Sequence, residues 1–236
     1  MLRSALALLC LTTAAVADEA EDAFVEANVL SIFYHELGHA MIDVLGLPVF
    51  GQEEDAADVV SILMIDAFFE EDVALDLAYD AASGFWAEAQ DGGGSVYWDV
   101  HGPDEQRFFN TVCLFYGANP DARDDFAEDM GLPEERAETC PEEYDLAIDS
   151  WGAVMDDIAG AGDSLRFDAG GAASLTADVI GAEVAALNAD FRFPEVITVR
   201  VEPCGEANAF YDPSTIEIIM CDEFEAHLRR LYTLLD

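Results

Sequence analysis

Apolar residues along most of the chain recur at the spacing that gives a helix one buried face. Between Glu19 and Leu45 this spacing predicts one or two helices, and Gly46 with Pro48 indicates where they end. The same periodicity predicts further helices, separated by glycine- and proline-containing stretches, at residues 52–69, 72–90, 104–116, 122–130, 141–158 and 176–187. We therefore expect a mainly α-helical protein.

The pattern changes near the C-terminus. Residues 196–201 and 216–221 are rich in β-branched side chains, which is typical of strands, and Tyr211-Asp212-Pro213-Ser214 between them is a turn sequence. We predict a β-hairpin formed by these two runs, followed by a closing helix at 223–235. The expected fold class is mainly α with a small β-hairpin or sheet (α+β).

The first seventeen residues have the features of an export signal. Arg3 supplies the positive charge, residues 5–11 the apolar run, and Ala15-Val16-Ala17 the cleavage site. Later segments lack the uninterrupted apolar length that a membrane-spanning helix needs. We therefore expect a periplasmic or secreted protein without a membrane span.

The mature part of the chain, residues 18–236, has a length that suits one domain with a substantial core. The stretch at about 160–174 is rich in glycine, alanine and aspartate, which is typical of a flexible connection. We predict a single domain that contains this connection.

Cysteine usage agrees with export. Once Cys10 is lost with the signal, an even number remains, which predicts two disulfides in an oxidising compartment. These cysteines are Cys113, Cys140, Cys204 and Cys221. Three pairings are open, and we favour Cys113 with Cys140 and Cys204 with Cys221, because each would close a compact loop or hairpin. A second zinc site is the competing use, but the short C-x-x-C spacing of structural zinc sites is missing.

The chain has a large excess of negative charge, with 50 acidic and 9 basic residues and a net charge of −41. Such a field repels phosphate backbones, so we expect no nucleic-acid partner. Solubility and adaptation to saline surroundings are the simpler interpretation, because the acids are spread along the whole chain. Attraction of cationic peptides or metal ions is the functional interpretation.

The strongest chemical signal is the segment His35-Glu36-Leu37-Gly38-His39, which has the pattern H-E-x-x-H within a predicted helix. The spacing of His35 and His39 places both imidazoles on one helical face, where they can bind the same tetrahedral zinc ion. Glu36 then projects beside them toward a bound water. Catalytic zinc needs a third protein ligand and an open position.

The third ligand is predicted to come from the next helix, fifteen residues after His39. The connection 47–52 is long enough to bring that helix back alongside the first. We choose Glu54, because Asp58 one turn later can accept the second ring N–H of a zinc-bound histidine. The rival Glu53 would leave no acid four residues later for that purpose. An acidic first turn favoured by the helix dipole explains Glu53, Glu54 and Asp55 well, but it leaves the histidine pair unexplained.

This combination resembles the gluzincin metallopeptidases, in which a helix with H-E-x-x-H is followed by one with E-x-x-x-D. That resemblance covers about residues 29–60, and it leaves too little mature chain before the zinc helix for an N-terminal sheet with a substrate-binding edge strand. More of the chain resembles a family of bacterial metallopeptidases with the motifs HELGH, G-x-E-E-D-A-A-D and C-G-x-x-N-A-x-Y-D-P. Their counterparts here are residues 35–39, 51–58 and 204–213. The resemblance implies a zincin-like helix pair that carries the metal site, and a peptide or protein substrate.

The functional hypothesis is an exported zinc metalloendopeptidase with one zinc ion per chain. Glu36 would act as general base on a zinc-bound water and then protonate the leaving amine. Candidates for a donor to the developing oxyanion are, in order of preference, Tyr211, His101, Tyr97 and His227. The alternative is a non-catalytic zinc-binding structural or interaction protein of the cell envelope, in which Glu36 has no role. A structural site would normally supply four protein ligands, and only three are evident.

Overall fold

The computed structural model describes residues 9–91 and 95–235. Helices predominate and are accompanied by one small sheet, which confirms the predicted fold class. In chain order the elements are α1 (Leu9–Leu45), α2 (Glu53–Phe68), α3 (Glu71–Gln90), α4 (Asp104–Ala118), α5 (Asp124–Asp129), α6 (Glu134–Ala137), α7 (Cys140–Ile158), β1 (Leu165–Asp168), α8 (Leu175–Asp190), β2 (Ile197–Glu202), β3 (Ala209–Asp212), β4 (Glu217–Cys221) and α9 (Glu223–Tyr232).

The predicted export signal falls partly outside this description. Residues 1–8 lie outside the described residues, and 9–17 form the beginning of α1. The signal and its cleavage site stay predictions. Within the described parts of the chain, no helix has both the length and the apolar character required to cross a membrane.

Helix α1 is the centre of the molecule. It contacts α2, α3, α8, α9 and the sheet, so it is buried on nearly all sides between Phe24 and Ile42. A helix in this position is apolar around its whole circumference, and the few polar side chains on it are therefore unusual. The buried polar residues of α1 are Asn28, Ser31, His35 and Glu36.

The sheet has the strand order β1-β2-β4-β3. Strand β2 pairs in parallel with β1 and with β4, and β3 pairs antiparallel with β4. Buried side chains of β2 and β4, among them Ile197, Val199, Ile218 and Met220, join the core. Strand β3 lies at the edge of the sheet next to α1, so its position relative to the metal site is fixed by direct packing.

One sequence prediction about this region is wrong. The runs 196–201 and 216–221 do form strands, but they pair in parallel and so cannot be the two arms of a hairpin. The true hairpin is β3–β4, and the first half of the predicted turn, Tyr211-Asp212, is the end of strand β3. The segment 160–174, for which we predicted a flexible connection, contains β1, which pairs in parallel with β2.

Both disulfides have the pairing that we favoured from the sequence. Cys113–Cys140 connects α4 to the first residue of α7, and Cys204–Cys221 connects the β2–β3 loop to the end of β4. The second bond therefore fixes the segment that leads into β3. Disulfides of this kind are typical of proteins in oxidising compartments.

Candidate metal centre

A close approach of α1 and α2 creates the site. A Cβ atom at Gly38 would lie 2.7 Å from Val60 Cγ1 and 3.1 Å from the Cα atom of Ala57, so the absence of a side chain lets the helices touch backbone to backbone. Gly38 is the fourth residue of the H-E-x-x-H segment. The short distance between helices brings the first two turns of α2 against the two histidines.

Three donor atoms converge at this contact. His35 Nε2 lies 3.2 Å from Glu54 Oε2, His39 Nε2 lies 3.1 Å from the same oxygen, and the two Nε2 atoms are 3.1 Å apart. They form a nearly equilateral triangle. Among the described residues, His35, His39 and Glu54 are the group of histidine, cysteine and acidic side chains whose geometry suits a metal ion. The structure thus brings together the three residues predicted as ligands.

The remaining ring nitrogens of both histidines are occupied by carboxylates. His35 Nδ1 donates to Asp58 Oδ1 at 2.7 Å, and His39 Nδ1 donates to Glu53 Oε1 at 2.9 Å. A carboxylate only accepts hydrogen bonds, so each Nδ1 carries a proton, and it is Nε2 that can bind a metal once its own proton is lost. Asp58 has the position predicted for it, and Glu53, which we considered as a rival ligand, instead orients His39.

Asp58 is itself held by Arg107 of α4. The guanidinium donates from Nε to Oδ2 and from Nη2 to Oδ1, both at 2.8 Å, and it stacks 4.2 Å from the ring centre of Phe85. Such bidentate pairs fix the plane of the carboxylate. Burial raises the pKa of Asp58, but Arg107 and His35 together outweigh this effect, so the pKa lies well below its usual value.

In the metal-free protein, His35, His39 and Glu54 shift one another's pKa values. Burial lowers the pKa of His35, but hydrogen bonds to Asp58 and Glu54 outweigh it and raise the pKa to about 9. Burial also lowers the pKa of His39, and Glu54 and Glu53 raise it overall. Hydrogen bonding by His101, His35 and His39 lowers the pKa of Glu54. The cluster therefore attracts positive charge, which a proton or a metal ion can supply.

Glu36 has a different environment. Its side chain is 7 % exposed, and no hydrogen-bond partner is recorded for its carboxylate among the described residues. Burial raises the pKa of Glu36, and the neighbouring histidines oppose this effect only in part. A buried carboxylate with a raised pKa can accept a proton and release it again near neutral pH.

The site opens into a cavity of about 760 Å³, which we call the metal cleft. Its walls come from α1, the start of α2, the loop before α4, and β3 with its flanking residues. They are His35, Glu36, His39, Ile42, Asp43, Gly46, Glu53, Glu54, His101, Asn208, Ala209, Phe210, Tyr211 and Pro213. Open space therefore adjoins the metal ligands on the side of β3.

The four candidates for an oxyanion donor differ in how close they lie to the proposed metal ligands. His101 Nε2 lies 2.9 Å from Glu54 Oε2, and Asp99 accepts from the His101 backbone N–H. The Tyr211 hydroxyl also lies in the metal cleft, but it donates its proton to Asp43 at 2.7 Å. Tyr97 is not part of the cleft wall and is largely exposed, and His227 donates to Glu88 away from the ligands.

Two features of the site were missed from the sequence. Arg107 was not considered, and Asp99 was not recognised as a partner of His101. A signal for Arg107 did exist, because a cation in such an acidic chain that also lies at the start of a predicted amphipathic helix is a candidate for a buried ion pair.

Comparison with protein families agrees with a metal-dependent peptidase. Residues 9–155 and 173–234 match the model of the family DUF4344, whose description is "Putative metallopeptidase". The match covers most of the chain, and the chain belongs to this family. Searches of curated proteins and of solved structures found no match.

Proposed function

We propose that this chain is an exported, zinc-dependent endopeptidase of the gluzincin type, with Glu36 as the general base. The observation that carries the proposal is the triangle formed by His35, His39 and Glu54 beside the buried Glu36, which has no hydrogen-bond partner among the described residues. Export is supported by the two disulfides and by the N-terminal sequence pattern.

Zinc is the metal that the donor set fits best. Two imidazoles and one carboxylate are typical ligands of catalytic zinc, and the second hydrogen bond of each imidazole is what such sites require. Ligands at about 2.05 Å from a tetrahedral ion lie about 3.3 Å from one another. The triangle edges of 3.1 to 3.2 Å are close to this value, so the residues need little rearrangement to bind zinc.

When bound, zinc would polarise the scissile carbonyl and acidify a water molecule. Glu36 takes the proton of the attacking water and passes it to the leaving amine, which is a task for a carboxylate with a raised pKa. Its low exposure keeps bulk water from competing for that proton. The residue therefore acts first as base and then as acid.

His101 is our choice for the donor to the developing oxyanion, ahead of Tyr211. The imidazole already reaches the ligand Glu54, whereas the Tyr211 hydroxyl is engaged with Asp43. Asp99 Oδ1 lies 3.5 Å from His101 Nδ1, where the carboxylate helps to orient the ring. A positioned donor of this kind contributes about 3 kcal/mol to transition-state stabilisation.

Strand β3 supplies a surface for an extended peptide. The C=O of Asn208 accepts from Cys221 N–H, and ladder bonds alternate along an antiparallel pair, so the backbone groups of Ala209 and Tyr211 point away from β4. These groups border the metal cleft. A substrate that adds to this edge would be held by main-chain hydrogen bonds, largely independent of its sequence.

The competing function is a zinc site that only stabilises the fold. Structural sites are usually closed by four protein ligands and need no space beside the metal. Here the ligands border an open cleft of about 760 Å³, and Glu36 lies in its wall without a partner among the described residues. Both observations favour catalysis.

The test compares the cleavage of an unfolded, fluorescently labelled protein by zinc-loaded wild type and by Glu36→Gln. We expect the variant to keep its zinc but to lose activity by more than about 100-fold, because the general base is gone. Glu26→Gln, the same change at an exposed position on α1, is the matched control and should behave as wild type. Full activity of Glu36→Gln would refute the base assignment, and zinc-loaded wild type without any activity would favour the structural alternative.

A further inference from the structure

A second cavity of about 290 Å³ adjoins the metal cleft, and we call it the side pocket. The two cavities share His35, Glu36 and His101, so the pocket begins where the reaction would take place. From there it extends toward the N-terminal end of α1, along Ile32 and Asn28. A side chain of a peptide held in the cleft can therefore reach it.

The direction of β3 shows which side of the scissile bond the pocket serves. Strand β3 starts at the side pocket, which includes Asn208 and Ala209, and ends beside Asp43, where Tyr211 and Pro213 line only the metal cleft. A peptide that pairs antiparallel with this edge runs the opposite way. Its residues before the scissile bond then lie beside Tyr211, and the residue after the bond lies at the side pocket.

The pocket has an apolar wall and an acidic end. Phe85, Phe224 and Leu228 provide the apolar surface, and Glu36, Glu88 and Asp104 are the acids. Arg107 also lines the pocket, but its guanidinium is engaged with Asp58. This combination suits a side chain with a long aliphatic stem and a charged head group, which buries the stem and keeps the head group beside polar partners. A cavity of this size accommodates such a side chain.

Glu88 makes no direct ion pair with an arginine among the described residues. Arg230 donates to His227 Nδ1, and His227 Nε2–H donates to Glu88. Arg230 makes its two direct bonds to Asp91. It is therefore a neighbouring charge of Glu88 but not its ion-pair partner.

Asp104 is also incompletely paired. Its nearest cation is Arg107 Nη1 at 3.9 Å, and Arg107 makes its short bonds to Asp58. Burial raises the pKa of Asp104, Arg107 opposes this effect in part, and the charge of Glu88 adds to it. A cationic group between Glu88 and Asp104 would reduce the repulsion between the two carboxylates. Glu36, which is buried and has no hydrogen-bond partner among the described residues, lies in the same pocket wall and increases the negative potential further.

We propose that the side pocket binds the side chain of the residue that follows the scissile bond, and that it selects arginine or lysine through Glu88 and Asp104. This inference rests on the proposed peptidase function and adds a substrate class to it. The enzyme would then cleave on the N-terminal side of basic residues and disfavour acidic residues at that position.

The first experiment measures kcat/KM for peptides that are identical except for arginine, leucine or glutamate after the scissile bond. We expect arginine to be preferred over leucine by about tenfold, the range of a hydrogen-bonded charge pair, and glutamate to be the poorest. The double variant Glu88→Gln, Asp104→Asn should lose this preference, while it still accepts the hydrogen bond from His227. Glu105→Gln is the matched control, since Glu105 is exposed and lies outside the side pocket.

A second experiment measures peptide binding to the side pocket without relying on catalysis. The peptides Arg-Ala-Ala, Leu-Ala-Ala and Glu-Ala-Ala mimic the product that begins after the scissile bond, and their binding to zinc-loaded Glu36→Gln protein is measured by NMR titration. We expect Arg-Ala-Ala to bind most tightly, and the Glu88→Gln, Asp104→Asn changes in this background to remove the difference.

The outcomes separate the two proposals. Binding that favours arginine, in a protein that cleaves nothing, would refute the peptidase function but support the pocket. Cleavage with no preference for basic residues, or a preference that survives removal of both carboxylates, would refute the pocket and leave the peptidase function intact.

Discussion

The two histidines of the metal centre are one helical turn apart, but their surroundings differ sharply. The His35 side chain is 4 % exposed, and its partner Asp58 is fixed by Arg107 of a third helix. The His39 side chain is 12 % exposed, and its partner Glu53 is 50 % exposed. His35 is therefore oriented by a carboxylate that is itself fixed by an arginine, whereas His39 is oriented by a half-exposed surface carboxylate. We infer that metal affinity depends mainly on the His35 side.

The largest effect should follow from breaking the support of His35. Arg107→Met leaves Asp58 without its cation, so we expect a loss of about 2 kcal/mol in the free energy of unfolding, less than for a fully buried pair because Asp58 is 21 % exposed. Zinc affinity should fall by about 10- to 100-fold, because the His35 ring is no longer oriented. Denaturant unfolding and competition with a chelator measure the two effects. Arg107→Lys, which keeps the charge but not the two-bond geometry, should recover part of the affinity, and unchanged zinc affinity in Arg107→Met would contradict the inference.

A similar loss of stability is expected when the two helices are pushed apart. Gly38→Ala places a methyl group against Val60 and the backbone of Ala57, which overpacks the contact and costs about 2 kcal/mol. Because α2 carries Glu54, Glu53 and Asp58, both histidines should be affected together. Zinc titration should show weaker binding to Gly38→Ala. Gly152→Ala is the control and should have little effect, because a methyl group at this helical glycine would lie 3.7 Å from Ile148, at ordinary van der Waals distance. Wild-type zinc affinity in Gly38→Ala would show that close helix contact is not required.

The pH dependence of the metal-free protein gives the next test. The pKa of His35 is raised to about 9 in the folded state, so its protonation stabilises the fold fully below about 6.5 and the contribution is lost as pH rises through 9. We expect the free energy of unfolding to fall by an amount on the order of 2 kcal/mol between pH 6.5 and pH 10. In His35→Gln the decrease should be much smaller. An equal decrease in both proteins would assign the effect to other groups.

The smallest effect is expected on the exposed side. Glu53→Gln retains an oxygen that accepts from His39 Nδ1, so zinc affinity should change by no more than about threefold. Asp58→Asn is the corresponding change on the His35 side. It should reduce zinc affinity by at least about tenfold, because a neutral amide cannot replace the carboxylate that pairs with Arg107. Equal effects of the two changes, measured by the same chelator competition, would remove the distinction between the histidines.

The comparison also shows which parts of the site are readable from sequence. His35, His39, Glu54 and Asp58 lie on two consecutive helices, where residue spacing alone determines which side chains share a face. Arg107 and His101 belong to segments that are remote in sequence, and only the packing of α4 against α2 brings them to the site. Spacing contains no information of that kind, so the roles of Arg107 beside Asp58 and of His101 beside Glu54 could not be predicted from it.

The sheet illustrates the same limit for the fold. β-Branched runs correctly indicated β2 and β4, but strand propensity does not specify which strands pair or in which direction. Strand β3 is four residues long, and its last residue, Asp212, is followed by Pro213, so its sequence resembles a turn. Its true position is significant, because the edge strand beside the metal centre comes from the C-terminal part of the chain.

The central claim is that His35, His39 and Glu54 bind one catalytic zinc ion, and metal analysis of the purified protein tests it most directly. Elemental mass spectrometry should find about one zinc ion per wild-type chain, as expected for a single catalytic site with three protein ligands. Glu54→Ala should lose most of the metal, whereas Asp55→Ala, the same change at the adjacent exposed acid, should keep it. Wild-type protein that contains no zinc after reconstitution, or a Glu54→Ala variant that retains it fully, would contradict the account.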